Sequence, residues 1–176
     1  MKNNAEKTWN EDLKKILRKE FKKFNIDKRK ILRDFYLSEG KEGKKTFKPG
    51  FAEQDIVIYN EELDISKDLI KNPKNIIFPN DEKKIIIPKV IIELKYYGVT
   101  THQLLTYSSI ANDIKSIFFN CKYYCLIRFG GDSRDKLLRN GKNFNDVFLL
   151  ERSKGKSKDR RYYKKGEFEE ELEKNK

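Results

Sequence analysis

The chain has 176 residues, with 40 Lys+Arg against 28 Asp+Glu and a formal net charge of +12. That length fits one domain, and an apolar fraction of 37%, rich in the 12 Phe and 9 Tyr, is enough for a modest core. No uncharged apolar run approaches ~18 residues, which excludes a helical membrane span, and two cysteines with one histidine exclude a disulfide scaffold, an Fe–S cluster and most histidine-based zinc sites or triads.

The first twenty residues lack an apolar h-region and a cleavage site, which argues against secretion and for the cytoplasm. Basic residues run through the whole chain, as suits a nucleic-acid partner, although charge alone defines no site. If Cys121 and Cys125 lie on one strand, four steps of ~3.3 Å hold them too far apart to bond.

Trp9, Leu13, Ile16, Leu17, Phe21 and Phe24 recur at helical spacing, so a first helix is predicted from Trp9 to Phe24. A second short helix is predicted from Lys28 to Leu37 on Ile31, Leu32, Phe35 and Tyr36, with Asp27 as its cap. Ser38 to Gly50, with Gly40, Gly43 and Pro49, reads as a loop. From Asp55 the character turns to strands: DIVIY at Asp55–Tyr59, a hairpin over Ile76 to Ile87 and KVIIELKYY at Lys89–Tyr97. A helix from Thr101 to Phe118 follows, then CKYYCLIRF at Cys121–Phe129 and DVFLLE at Asp146–Glu151. A strand–helix–strand crossover in the middle predicts an α/β fold with a central mixed sheet flanked by helices. The expected organisation is a single domain over 1–151, with N-terminal helices at 8–37 and a core at 51–129, then a charged tail or terminal helix at 152–176.

Eight acid-x-Lys tripeptides occur in this lysine-rich chain, and seven of them fall in predicted helices, turns or loops. Only Glu93-Leu94-Lys95 lies inside an apolar strand, after Val90-Ile91-Ile92. Strand alternation sends Glu93 and Lys95 to one face and Ile92 and Leu94 to the other. Charged groups in such a run are costly to bury unless paired or bound to metal, so the plain alternative is a Glu–Lys pair on a solvated face. Asp55, at the mouth of DIVIY, would add a second hard oxygen donor, as a divalent cation such as Mg²⁺ prefers. Asp81 is a rival by spacing but belongs to the predicted hairpin turn. Eight residues after Lys95, Gln103 and Tyr107 share one helix face at i and i+4.

Asp55, Glu93-x-Lys95 in an apolar strand and Gln103-x-x-x-Tyr107, in that order, resemble the PD-(D/E)xK nuclease superfamily. The Gln-x-x-x-Tyr element is similar to its RecB-like branch and to nuclease domains of type I restriction subunits. The likeness spans about Phe51 to Ile127. Gln54 stands where the family usually has proline, and the 37 residues between Asp55 and Glu93 imply an inserted hairpin or another first aspartate.

The resemblance implies a restriction-endonuclease-like core in the order αβββαβ with an inserted hairpin. It implies a Mg²⁺-dependent DNA endonuclease, with Mn²⁺ as a substitute, in restriction-modification or related defence. Asp55, Glu93 and the backbone carbonyl of Leu94 would hold the ion, which stabilises phosphate charge and lowers the pKa of a bound water. Lys95 would position or deprotonate that water, its own pKa lowered by the ion, and Gln103 and Tyr107 would orient Lys95 or contact the backbone. A first-helix glutamate often joins in this family, and Glu20 falls within the apolar arc of Leu13, Ile16, Leu17 and Phe24.

Lys122, Arg128 and His102 are candidate DNA contacts, and the Tyr-rich stretches after Lys95 and Lys122 could stack bases or simply pack. One active centre implies a homodimer or a partner subunit for double-strand cleavage. The other readings are a resolvase-like repair or recombination nuclease and a nuclease-fold DNA-binding subunit that does not cut. Specificity would reside in the 60–88 insertion and the 38–50 loop.

Overall fold

The structure is a computed structural model that describes residues 2–39, 45–64 and 84–152. Helix α1 (Lys2–Glu20) leads into strands β1 (Asn25–Glu39), β2 (Lys45–Asp64) and β3 (Lys84–Lys95). Helix α2 (Thr101–Ile117), β4 (Lys122–Gly130), α3 (Arg134–Asn140) and β5 (Asp146–Arg152) complete the described chain. The five strands form one sheet in the order β1-β2-β3-β4-β5, antiparallel across β1, β2 and β3 and parallel across β3, β4 and β5. It is an α/β architecture, a five-stranded mixed sheet with helices against it. The parallel half follows from the β3–α2–β4 crossover, because parallel neighbours need a long connection.

The sheet is covered on both faces, and each face has its own core. Leu17 of α1 and Phe21 just beyond it pack on Ile56, Ile58, Val90, Ile92, Leu94, Tyr124, Leu126 and Phe148, with Trp9 and Leu13 beside them. Leu104, Ala111 and Ile114 of α2 pack on Val57, Tyr59, Ile91, Tyr123, Cys125, Ile127 and Val147. A β4 buried from both sides reads as a continuous apolar run, as it does in CKYYCLIRF. Cys121 and Cys125 are free thiols buried in that layer, each pushed up to about 12 by burial, so neither is a reactive thiolate at neutral pH.

The predicted helix at Lys28 to Leu37 is instead part of β1. Ile31-Leu32 and Phe35-Tyr36 match helical spacing, but the adjacent pair Ile31 and Leu32 is buried because the strand is covered twice. Ile31 joins the α2 core, and Leu32 packs with Ile85, Phe51, Leu63 and Phe118. A short apolar run covered on both sides cannot be assigned by periodicity. Asp27 caps nothing; it receives Arg18 at 2.6 Å, and the same guanidinium bonds the Ile26 carbonyl, tying the end of α1 to β1.

The predicted Ser38–Gly50 loop is strand wherever it is described, at 38–39 and 45–50. Pro49 is tolerated there because β2 has only β1 beside it at that point. A Cβ at Gly50 would meet the Asp34 carboxylate across the ladder, so a side chain there would have to displace that carboxylate. The predicted hairpin lies outside the described residues except for 84–87, which open β3, and Asp81 and the tail at 153–176 lie outside them too.

Candidate active site

Two features of the backbone build the site. The β2–β3 ladder runs from Asp64 opposite Lys84 to Ile56 opposite Ile92 and stops there. At the same level β2 carries an extra residue against β1: Asp27 pairs with Val57, whereas Arg29 already pairs with Gln54. Such a bulge re-aims side chains. Strict alternation would put Gln54 and Val57 on opposite faces. With the extra residue both serve the α2 face, and Gln54, 1% exposed, accepts a hydrogen bond from the Tyr123 hydroxyl on β4.

Asp55 therefore stands where the two strands part. Its Oδ2 accepts the backbone N–H of Leu94 at 2.9 Å, taking over the donor that the ladder no longer uses. That bond fixes the Asp55 carboxylate against the Glu93-Leu94 peptide. Glu93 is only 6% exposed, and its Oε1 accepts from Lys95 Nζ at 2.7 Å. Lys95 Nζ also lies 4.2 Å from the centre of the Tyr107 ring on α2. Asp55, Glu93, Lys95 and Tyr107 are thus brought together on the α2 face of the sheet.

The electrostatics are those of two acids sharing little water. Burial, and then the charge of Asp55, raise the Glu93 carboxyl to about 7, against the opposing pull of Lys95. Burial works to lower the Lys95 ammonium, but the charge and hydrogen bond of Glu93, together with Tyr107, leave it above the ordinary lysine value. That is opposite to the lowering expected from a nearby metal ion, so in the metal-free protein Lys95 is a firmly held cation. Asp55 and Glu93 also contribute to raising Lys28, whose first cause is its hydrogen bond with Glu53.

The donor chemistry fits a hard divalent cation: two carboxylates, one almost buried and driven toward neutrality by that burial and then by the charge of the other, are relieved by positive charge between them. Among the described residues no group of three or more His, Cys, Asp or Glu side chains gathers to ligate a metal. The protein contribution would thus be a pair of carboxylates, as suits an ion that keeps several waters.

Other predicted residues stand elsewhere. Gln103 turns back on its own helix: its Oε1 accepts from the Thr100 backbone N–H at 2.9 Å, and the Thr100 hydroxyl accepts from Gln103 N–H. This is a capping box, so the Gln103 side chain is not oriented on Lys95. Glu20 is exposed at the last turn of α1 beside Lys19 and Lys22, not inward, because the inward line runs through Leu13, Leu17 and, just past the helix, Phe21, and leaves Ile16 outside.

Lys122 pairs with Val90 at the start of β4, three residues before the Glu93–Cys125 level. Arg128 is held among Trp9, Tyr96 and Phe129, with its guanidinium 5.0 Å from the Tyr96 ring, and it reaches Glu151 at 3.4 Å. His102 is exposed on the first turn of α2. Tyr123 and Tyr124 are core residues, so they are packing and not a base-stacking surface.

The acid Glu6 of α1 adds a lesser push on Glu93, after burial and Asp55. Extending the apolar line of α1 back from Leu13 and Trp9 by one turn reaches Glu6, but a helix begun at Trp9 leaves it out.

No family model matches the chain, and no curated protein does. Among solved structures it is similar to a chain of the native BbvCI A2B2 tetramer, at 12% identity with a TM-score of 0.47. The match covers 72% of this chain and 45% of that one, so the chain spans less than half the length of the structure it resembles.

Proposed function

We propose that the protein is a divalent-cation-dependent DNA endonuclease, with Mg²⁺ as its ion and Asp55 and Glu93 as the residues that hold it. The observation that carries this reading is the meeting of Asp55, Glu93 and Lys95 where the β2–β3 ladder ends, with one carboxylate fixed by the Leu94 N–H and the other nearly buried. A bound cation would stabilise charge on a phosphodiester and make its water more acidic. Lys95, a held ammonium, would donate a hydrogen bond to a phosphate oxygen or the attacking water, and Tyr107 would keep its Nζ in place from below. Leu94 gives its N–H to Asp55, and its carbonyl would be the further oxygen donor. DNA as the substrate follows from the motif resemblance and the +12 charge, and restriction or related defence is the setting that resemblance favours.

The test is cleavage of plasmid DNA with Mg²⁺, wild type beside Glu93→Ala and Lys95→Ala. Wild type should yield fragments and both variants should lose cutting while keeping DNA binding. Cutting confined to branched substrates would place the protein in repair or recombination. Undiminished cutting by Glu93→Ala would refute the site, and binding without cutting in Mg²⁺ or Mn²⁺ would leave a DNA-binding subunit.

A further inference from the structure

Strand β1 is one edge of the described sheet, and past Arg29 its only partner among the described residues is the part of β2 that has already left β3. Residues 29–39 and 45–54 are therefore a two-stranded ribbon. Its inner part is anchored by Ile31 and Leu32 in the core and by Arg33, whose Nε meets Asp113 of α2 at 2.9 Å. Its outer part is apolar and open. Phe35, Tyr36, Leu37 and Phe47 are 46%, 52%, 54% and 49% exposed. Leu37 lies directly opposite Phe47, so Phe35, Leu37 and Phe47 share one face. An exposed strand edge is ordinarily blunted by charge, by proline, by a bulge or by being short; the irregularity of β1 lies at Leu32–Asp34, before Phe35-Tyr36-Leu37, which carries no charge.

We propose that this edge is a self-association surface, where a second copy of the chain pairs its β1 antiparallel to this one about a two-fold axis at Tyr36. The residues select that register. Centred on Tyr36, Arg33 faces Glu39 of the second copy, Asp34 faces Ser38, Phe35 faces Leu37 and Tyr36 faces Tyr36. Centred one residue earlier, Glu39 would face the core residue Ile31; centred one later, it would face Phe35. Of these three registers only the one centred on Tyr36 sets Glu39 opposite a basic residue, Arg33, whose guanidinium also holds Asp113, and cross-strand opposition of this kind is favourable. The same register joins Phe47 and Leu37 of one copy with Phe35 and Pro49 of the other in one apolar row across four strands, and the two-fold repeats that row. The surface involves no residue of the candidate active site and stands apart from the nuclease reading.

Sedimentation of the wild-type chain, with cysteine trapping at the axis, tests this. Directly opposed residues have Cβ atoms about 4.5–5.5 Å apart, near enough for a disulfide to draw together. Tyr36→Cys should therefore cross-link into a covalent dimer on mild oxidation, whereas Glu53→Cys on the inner ribbon should not. Cys121 and Cys125 are buried and should stay silent. Glu39→Arg, which sets like charges face to face, and Leu37→Asp should each weaken the dimer about tenfold or more without changing the circular dichroism of the fold. A wild-type chain that sediments as a monomer at the highest soluble concentration overturns the proposal. So does a dimer in which Tyr36→Cys fails to cross-link or Glu39→Arg has no effect.

Discussion

Glu93 is nearly enclosed, has a second carboxylate for a neighbour and is met by Lys95 at hydrogen-bond distance. Its carboxyl lies at about 7 in the fold against an ordinary 4.5. A group raised in this way stabilises the folded state below its unfolded value, and that contribution is lost as pH rises through about 7. The metal-free protein should thus lose stability between pH 5 and pH 8, by on the order of 3 kcal/mol at most from this group. Asp55→Asn removes the like charge while its side-chain oxygen can still accept from Leu94, so the decline should be shallower. Urea unfolding in EDTA across that range compares the two; parallel curves would mean that Asp55 and Glu93 do not feel each other. Glu93-x-Lys95 was legible because an acid and a lysine inside an otherwise apolar strand are rare. The state of Lys95 was not, because it depends on a partner two residues away having no water of its own.

At the scale of elements, α2 shows how one residue can answer to two readings. Gln103 follows Thr100 at capping-box spacing, and the same Gln begins the Gln-x-x-x-Tyr pattern. The geometry gives its side chain to the cap. Gln103→Ala should therefore destabilise the fold by roughly 0.5–1 kcal/mol through helix fraying while sparing cleavage at a temperature well below unfolding. Tyr107→Ala, which removes the ring under Lys95, should reduce cleavage strongly. Thermal melts and initial cleavage rates of the two variants check this; a Gln103→Ala protein that is stable but inactive would return Gln103 to the chemistry. Helix α2, β3, β4 and β5 were readable in the sequence because each is long or uniformly apolar. Strand β1 was not. Its pattern follows from being packed on both sides, between α2 and the Leu32–Ile85 cluster, and that depends on how the β1–β2 ribbon lies against the rest of the sheet. The bulge at Asp55 left no mark in composition either, although it sets both Gln54 and Asp55 toward the site.

For the whole molecule, the mixed sheet divides the work. Its parallel half, closed on both faces, is a rigid platform, and the end of its β3 strand carries Glu93 and Lys95. Its antiparallel half supplies Asp55 and then runs out as a ribbon. No described helix is long and apolar enough to cross a membrane. With a net charge of +12, DNA binding by Glu93→Ala should weaken steeply and linearly on a log–log plot against salt, as counterions are released from the phosphates. Fluorescence anisotropy on duplex DNA measures this, and a salt-independent affinity would argue against a phosphate-tracking surface. The charge was legible at once; the surroundings of Lys122 and Arg128 were not, because these residues are placed by strand register and an aromatic cluster that composition does not reveal.

The most direct measurement is paramagnetic broadening by Mn²⁺ of the backbone amide spectrum at pH 8, on wild type and on Asp55→Asn, Glu93→Gln and the pair combined. Substoichiometric Mn²⁺ should erase the amides of Asp55, Glu93, Leu94 and Lys95 first in the wild-type protein, weakly in either single variant and not at all in the double. Broadening centred elsewhere, or identical in wild type and double variant, would contradict a cation held between these two carboxylates.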